Sequence, residues 1–206
     1  MKQVWYADDA AATGSLHSIR QFWNQLVTVG PAYGYFANPP KTWLLTKEEH
    51  LDQANALFED TQVNITTHGR PYLGSALGSK EFIDQFVSNR VNCWVQELLT
   101  LSDIAKSQPH AAHAAFIRGF VHKFSFLCRT IPNIECHLHS LENCIRSIYI
   151  PSLTGRSPPS DLERDLLSLP PRLGGLGITN PITSSTGQFR DSKFQLRSAT
   201  LSKSNG

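Results

Sequence analysis

Apolar residues follow two different spacings along the chain, and the first stretch fits a β-hairpin. Residues 3–7, Gln-Val-Trp-Tyr-Ala, are rich in β-branched and aromatic side chains, which favours a strand, and residues 10–13 can form a return strand. The alternative is that residues 7–12, Ala-Asp-Asp-Ala-Ala-Ala, open a helix with acidic residues in its first turn. Local propensity leaves both possibilities open and favours the hairpin, with Gly14 and Ser15 as a turn and helix N-cap.

Helical and strand-like segments alternate in the residues that follow. A helix ending at Gly30 and Pro31 is predicted from apolar residues at helical spacing, namely Leu16, Ile19, Trp23, Leu26 and Val27. The next predicted elements are a turn at 38–41, a short strand at 42–45, a helix at 48–58, a strand at 63–66, a turn at 68–71 and a short strand at 72–74.

Beyond residue 80 the pattern becomes helical. Three apolar stripes each predict a helix. The first, a long helix, contains Phe82, Phe86, Val91, Trp94, Val95 and Leu98. The second, with Phe116, Phe120, Phe124 and Leu127, ends at Pro132, and the third, with Leu138, Leu141, Ile145 and Ile148, ends at Pro151. We therefore predict an α+β fold with a mixed domain at 1–79 and a helical domain at 80–150. Residues 151–206 are predicted to hold a linker, a short helix capped by Ser160, a Gly-rich turn and a polar tail that follows a last helix at 183–196.

Composition limits the possible classes of protein. The 206 residues include 40% hydrophobic and 17% charged residues, which is enough apolar material for a folded core. The net charge of +2 does not indicate any particular class of binding partner. No signal-peptide pattern or membrane-spanning run is expected, and the four cysteines lack metal-site spacing, so we predict reduced, buried thiols in an intracellular protein whose compartment, nucleus or cytoplasm, stays open.

The acidic pair Asp8 and Asp9 is the first candidate for chemistry. Like charges in contact repel, so neighbouring carboxylates at a tight turn need solvent or a cation. Hard divalent ions such as Mg²⁺ prefer carboxylate oxygens and water, and two such ions roughly 3.5–4 Å apart can activate a hydroxyl and neutralise a departing pyrophosphate. A solvated turn or a helix cap is the plain alternative.

The sequence around this pair resembles the Tyr-x-Asp-Asp box of reverse transcriptases. Residues 6–9 read Tyr-Ala-Asp-Asp, and after a helix of about 15 residues, residues 34–42 are similar to the Gly…Asn-x-x-Lys-Thr segment of non-LTR retrotransposon enzymes. Residues 72–74, Tyr-Leu-Gly, resemble the primer grip, and residues 169–177 resemble a Leu-Pro…Leu-Gly-Gly-Leu-Gly run beyond the thumb. The resemblance implies a partial polymerase palm followed by a helical thumb.

It also implies a role for each matching residue in an RNA-directed DNA polymerase, which is a nucleotidyltransferase. Asp8 would bind Mg²⁺ directly and Asp9 more weakly, while Lys41 would lie near the incoming triphosphate. Tyr72 and Gly74 would shape the primer grip. The partners implied are an RNA or DNA template and primer, bound weakly by scattered cationic side chains.

The chain departs from the family pattern upstream of the box. These enzymes carry a further metal-binding aspartate on an earlier palm strand, and residues 1–7 contain no acidic residue. An incomplete metal site and missing fingers predict a truncated polymerase that is inactive alone. Without a pairing strand, residues 4–6 would form an exposed edge that promotes self-association.

Other candidate motifs give weaker indications of a functional site. The histidines and cysteines between His110 and Cys144 fit no common zinc spacing, and residues 174–177 fit a tight turn better than a phosphate loop. No nucleophile elbow or ordered Ser-His-Asp triad is evident. The rival to the polymerase reading is a non-catalytic helical module that binds nucleic acid or another protein.

Overall fold

The computed structural model describes the backbone of residues 1–6 and 9–202, and the side chains of residues 1–6 and 9–192. The fold is α+β, predominantly helical with small two-stranded sheets. The chain divides into two compact units, residues 1–70 and 71–206. This division by compactness does not test the predicted domain limits, which stay predictions.

The first unit begins with the hairpin that local propensity favoured over a helix. Strand β1, Lys2–Tyr6, pairs antiparallel with β2, Asp9–Thr13, and the innermost pair is Tyr6 with Asp9. Helix α1, Leu16–Val29, follows directly, and the Ser15 hydroxyl accepts a hydrogen bond from the Ser18 backbone N–H, as predicted for an N-cap.

A short parallel sheet completes the regular structure of this unit. The 3-10 turn Pro39–Lys41 leads into β3, Trp43–Leu45; helix α2, Leu51–Phe58, connects it to β4, Asn64–Thr66. One face of this sheet contributes Leu44 to a small core that also contains Trp23, Ala54 and Phe58. Val27, predicted to lie on the apolar stripe of α1, is exposed, because the buried side of this helix is centred on Trp23 and Ile19.

The structure corrects one predicted turn. Residues 68–71 were expected to turn, but β5, Gly69–Tyr72, runs through them and forms a hairpin with β6, Ser75–Gly78. The chain reverses at Leu73 and Gly74, which have φ angles of 46° and 80°, so the strand predicted at 72–74 is wrong at these two residues. Consecutive positive φ values suit the twist of a two-residue hairpin, so the turn falls after the proline instead of at it.

The second unit is a helical bundle with a large continuous core. Its elements are α3, Lys80–Ser107; α4, Pro109–Ala115; α5, Val121–Thr130; α6, His139–Cys144; α7, Ile150–Thr154; α8, Asp161–Ser168; and α9, Pro181–Ser202. The predicted Phe116, Phe120, Phe124 and Leu127 stripe is entirely buried. The rings of Phe116 and Tyr149 stack 4.7 Å apart at the centre of this core.

The helix predicted from the third apolar stripe does not end at Pro151. A π-helical turn, Ile145–Tyr149, joins α6 to α7, so the helical path continues through Pro151 to Thr154 and ends at Gly155, whose φ is 68°. The wide turn leaves room for the proline ring, which would clash in a regular helix interior. The same turn rotates the helix, and Ile148 is exposed instead of buried.

The cysteines only partly follow the sequence expectation. All four are free; Cys128 and Cys144 are buried, but Cys93 and Cys136 are exposed because they lie on the solvent side of α3 and on the 3-10 turn Glu135–His137. Burial raises the pKa of the Cys128 thiol to about 11 and also raises that of Cys144. The buried pair is therefore protonated and unreactive at neutral pH.

The Gly-rich segment forms the predicted tight turn against the end of α8. Gly174 and Gly177 have positive φ angles, and the Gly177 N–H donates to the Leu169 carbonyl at 2.8 Å. A Cβ on Gly175 would lie 2.1 Å from that same carbonyl oxygen, so only glycine fits there. The backbone N–H groups satisfy the helix end and are not gathered around an anion.

A buried ion pair fixes α8 to the rest of this unit. Arg164 donates Nε and Nη2 to the two carboxylate oxygens of Glu142 at 2.7 and 2.8 Å, and its Nη1 to the Ile178 carbonyl at 2.7 Å. Ser160 and Glu163 form a capping box at the start of α8, and the predicted Ser160 cap is confirmed. Within the part of the chain that the structure describes, no helix is long and apolar enough to cross a membrane.

Candidate functional site

The acidic turn lies at the tip of the first hairpin. Tyr6 ends β1 and Asp9 begins β2, so two residues, Ala7 and Asp8, connect the paired ends. Asp8, the predicted main metal ligand, lies outside the described residues. Asp9 is exposed and forms no salt bridge with any residue that the structure describes, so its carboxylate is available to a cation.

The chemistry of the turn suits a hard divalent cation, but two carboxylates form an incomplete ligand set. Mg²⁺ takes oxygen ligands in octahedral geometry and usually keeps several waters. Within residues 1–6 and 9–192, no group of three His, Cys, Asp or Glu side chains is close enough to hold a metal ion.

Aromatic packing supports the hairpin on α1. The Trp5 ring meets Phe22 and Tyr35 edge-on, with centroid distances of 6.3 and 5.6 Å. These rings line an open, mostly apolar groove of about 320 Å³ between β1, α1 and the 3-10 turn Gly30–Tyr33. The other side of β1 is uncovered, since Val4 and Tyr6 are 60% and 66% exposed. Among the described strands β1 pairs only with β2, so its other edge has no strand partner, as expected for an exposed edge.

Lys41 is held by a well-defined loop, but its side chain is free among the described residues. The Asn38 side chain accepts a hydrogen bond from the Lys41 backbone N–H at 3.2 Å, and the Asn64 amide donates to the Pro40 carbonyl at 2.8 Å. No hydrogen bond or ion pair joins the ammonium of Lys41 to Asp9. The structure therefore fixes the backbone of the predicted Asn-x-x-Lys-Thr segment without linking Lys41 to Asp9, the described residue of the acidic pair.

The predicted primer-grip residues lie in the second unit, on the β5–β6 hairpin. Tyr72 ends β5, and its buried hydroxyl has no hydrogen-bond partner among the described residues. Gly74 forms the turn, where an added Cβ would lie 3.3 Å from Cε1 of Phe126. Close packing of this turn on a side chain of α5 explains a glycine here independently of any ligand.

Two interactions that sequence reasoning missed lie away from the acidic turn. The guanidinium of Arg70 stacks over Trp43, with Cζ 3.9 Å from the ring centroid. In the second unit, His137 bridges Ser88 Oγ and Asp84 Oδ1, both at 3.1 Å. Arg70 and Trp43 are 27 positions apart in sequence, and His137 is 49 positions from Ser88 and 53 from Asp84. No local motif could therefore have indicated these contacts.

The Ser88–His137–Asp84 arrangement has the residue types of a hydrolytic triad but lacks the rest of a site. Ser88 and Asp84 lie one turn apart within α3, where backbone N–H groups are used by the helix itself. The α3 backbone N–H groups beside Ser88 are therefore not free to stabilise an oxyanion. We interpret the histidine as a structural tie between α3 and the 3-10 turn Glu135–His137.

Comparison of this chain with protein families, with curated proteins and with solved structures gives no match.

Proposed function

We propose that this chain is the palm hairpin and thumb portion of a reverse-transcriptase-like protein of the non-LTR retrotransposon type. In this proposal Asp8 and Asp9 bind Mg²⁺, Lys41 approaches the triphosphate, and Tyr72 and Gly74 support a primer. The observation that carries the proposal is that Tyr-Ala-Asp-Asp spans the end of an antiparallel hairpin, with Tyr6 paired to Asp9. A helix over residues 5–14 would not have placed Asp9 at the end of a pair of antiparallel strands, which is the geometry that the resemblance implies.

The order of elements adds support to the proposal. After the hairpin come helix α1, the Asn38-capped turn that carries Lys41, strand β3 and then the β5–β6 hairpin with Tyr72 at its end. A helical region follows from Lys80 onward. This is the succession that the resemblance implies for a palm leading into a thumb. The plain alternative, a helical interaction module with a coincidental acidic turn, explains the second unit equally well but gives no reason for the first.

The proposed activity is incomplete in these 206 residues taken alone. Residues 1–7 contain no carboxylate side chain, so the proposal assigns the metal to the Asp8–Asp9 pair without a third acidic ligand from these residues. Two carboxylates hold two hard cations poorly, since metal affinity follows the number of charged ligands. We therefore expect weak metal binding by the chain and no nucleotide transfer.

Metal binding tests the proposal directly. We expect Mn²⁺, used as a paramagnetic substitute for Mg²⁺, to bind with a dissociation constant on the order of 1 mM, seen as loss of the free-ion electron paramagnetic resonance signal. The double variant Asp8→Asn/Asp9→Asn should lose most of this binding. Glu48 and Glu49 provide a matched control, because they form another adjacent acidic pair in the same unit. If Glu48→Gln/Glu49→Gln removes as much binding as the hairpin variant, the site is not at the hairpin.

Primer extension tests the second part of the proposal. With a primed RNA or DNA template, dNTPs and Mg²⁺, the chain should add no nucleotide. Extension that is abolished by Asp8→Ala would show that the chain is an active polymerase as it stands. Extension unaffected by Asp8→Ala would point to a contaminating enzyme, and a preparation free of it would be required before the result is scored.

A further inference from the structure

The outer face of the β3–β4 sheet presents an arginine stacked on an exposed tryptophan. Side chains alternate along β3, so Leu44 is buried in the core of the first unit while Trp43 and Leu45 lie on the opposite, exposed face. Trp43 is 40% exposed, and the guanidinium of Arg70 lies 3.9 Å above its ring centroid. Both side chains, which we call the Trp43–Arg70 stack, therefore present polar edges and aromatic surface to solvent.

The two chain segments that carry this stack contain no acidic residue, whereas residues 48–60 between them contain five. Residues 10–47 and 61–80 contain no Asp or Glu. Two of their cations are paired: Arg20 with Asp60 and Lys47 with Glu49. Within the described part of the chain, Arg70 forms no ion pair, although arginine on a protein surface commonly pairs with a carboxylate.

A planar guanidinium held flat on an indole is prepared to bind a specific kind of ligand. The fork of N–H donors on a guanidinium matches the geometry of a phosphate, and contact with the ring restricts the side chain before binding. The exposed part of the indole can stack on a nucleobase, an interaction that tolerates any sequence. An acidic peptide would use the cation alone and leave the aromatic surface unused.

We propose that the Trp43–Arg70 stack is a contact site for single-stranded nucleic acid, with a base against Trp43 and a phosphate at Arg70. A single strand is required because bases within a duplex are stacked on one another and cannot reach a flat side chain. The site goes beyond the proposed polymerase function, since it needs neither the acidic turn nor a metal ion.

Fluorescence anisotropy of a labelled oligothymidylate of about 15 nucleotides, in EDTA and low salt, tests this site. We expect binding that weakens with added salt and that falls about tenfold in Trp43→Ala and in Arg70→Ala. Arg70→Lys, which keeps the charge but not the planar stack, should fall between Arg70→Ala and the unmodified chain. Arg156→Ala and Phe36→Ala are matched controls, since they remove an exposed cation and a 75% exposed ring elsewhere.

Four results would overturn the site: no binding by the unmodified chain, unchanged affinity in both stack variants, equal affinity for a blunt duplex, or equal competition by polyglutamate. Equal competition by polyglutamate would identify an acidic-peptide surface instead. If Trp43→Ala fails to fold by circular dichroism, Arg70→Ala and Arg70→Lys decide the question, because Arg70 is exposed. The EDTA keeps this outcome separate from the metal-binding test of the acidic turn.

Discussion

The two compact units differ in how their polar groups are used. In residues 71–206, a continuous apolar core surrounds the stacked Phe116 and Tyr149, and the buried Arg164 is fully paired with Glu142. In residues 1–70, the core is small, and the candidate functional groups are exposed. Asp9, Lys41 and Arg70 have no ion-pair partner among the described residues.

This contrast separates structural polarity from polarity that is available for binding. A buried, paired charge stabilises one arrangement of helices and offers nothing to a ligand. An exposed, unpaired charge contributes little to stability and remains free for a metal ion or a phosphate. We therefore expect substitution of a buried, paired charge to change mainly stability, and substitution of an exposed, unpaired group to change mainly association and binding.

The largest effect is expected at Arg164. Replacing it with methionine leaves the Glu142 carboxylate buried without a partner, which should lower the free energy of unfolding by about 3–5 kcal/mol. Urea denaturation followed by circular dichroism measures this loss. The double variant Arg164→Met/Glu142→Leu should recover most of it, since an apolar pair removes both charges.

Lys106→Ala is the matched control for that prediction. Lys106 forms an exposed pair with Asp103 at 2.7 Å, so its removal should cost no more than about 0.5 kcal/mol. Equal destabilisation by Arg164→Met and Lys106→Ala would contradict the distinction between buried and exposed charges.

A smaller loss is expected at Gly175. An alanine Cβ would lie 2.1 Å from the Leu169 carbonyl oxygen, so the turn must shift and stability should fall by about 1–3 kcal/mol. Gly187→Ala is the control, because its Cβ would meet nothing within 4 Å and it lies within α9. A thermal melt should show a lower Tm for the first variant and an unchanged or higher Tm for the second.

The exposed β1 edge should control self-association of the first unit. Val4 is 60% exposed on a strand whose outer edge is unpaired, so the chain should associate as its concentration rises. Val4→Lys should reduce this association, because a charged side chain disfavours edge-to-edge pairing. Sedimentation velocity across a concentration series measures it; a monodisperse monomer in the unmodified chain would contradict the prediction.

The smallest effect concerns the Arg20–Asp60 pair on the surface. The guanidinium donates to Asp60 and lowers the pKa of that carboxyl below its ordinary value. The resulting stabilisation is therefore fully present above about pH 4 and is lost as the pH falls through the lowered pKa. Asp60→Asn should be slightly less stable at neutral pH and should show a shallower loss below pH 4 than the neighbouring control Glu59→Gln, as measured by urea denaturation.

Local signals predicted those elements whose cause lies within a few residues. The hairpin at 2–13, the Ser15 and Ser160 caps and the Gly174 turn all follow from side chains adjacent in sequence. The predicted turn at 68–71 was wrong because strand pairing with residues 75–78 outweighs the local Gly-Arg-Pro signal. Helix α5 ends just before Pro132, as predicted. The helical path continues through Pro151, since a π-helical turn upstream accommodates the proline ring.

Contacts between distant residues could not be predicted. In the sequence, nothing distinguishes Arg164 from the other charged residues of an amphipathic helix. Only the fold brings it into contact with Glu142, 22 positions earlier. The stacking of Arg70 on Trp43 arises in the same way. For the candidate metal site, the sequence indicated Asp8 and Asp9 through their resemblance to the Tyr-x-Asp-Asp box. The pairing of Tyr6 with Asp9 in a hairpin was established only by the structure.

Localising a bound metal ion is the most direct test of the claim that the acidic turn holds a divalent cation. In a ¹H–¹⁵N NMR spectrum, sub-stoichiometric Mn²⁺ should broaden the amide signals of Tyr6 and Asp9 first, and excess Mg²⁺ should restore them. Broadening centred on Glu48 and Glu49, or spread evenly over all acidic residues, would contradict the claim.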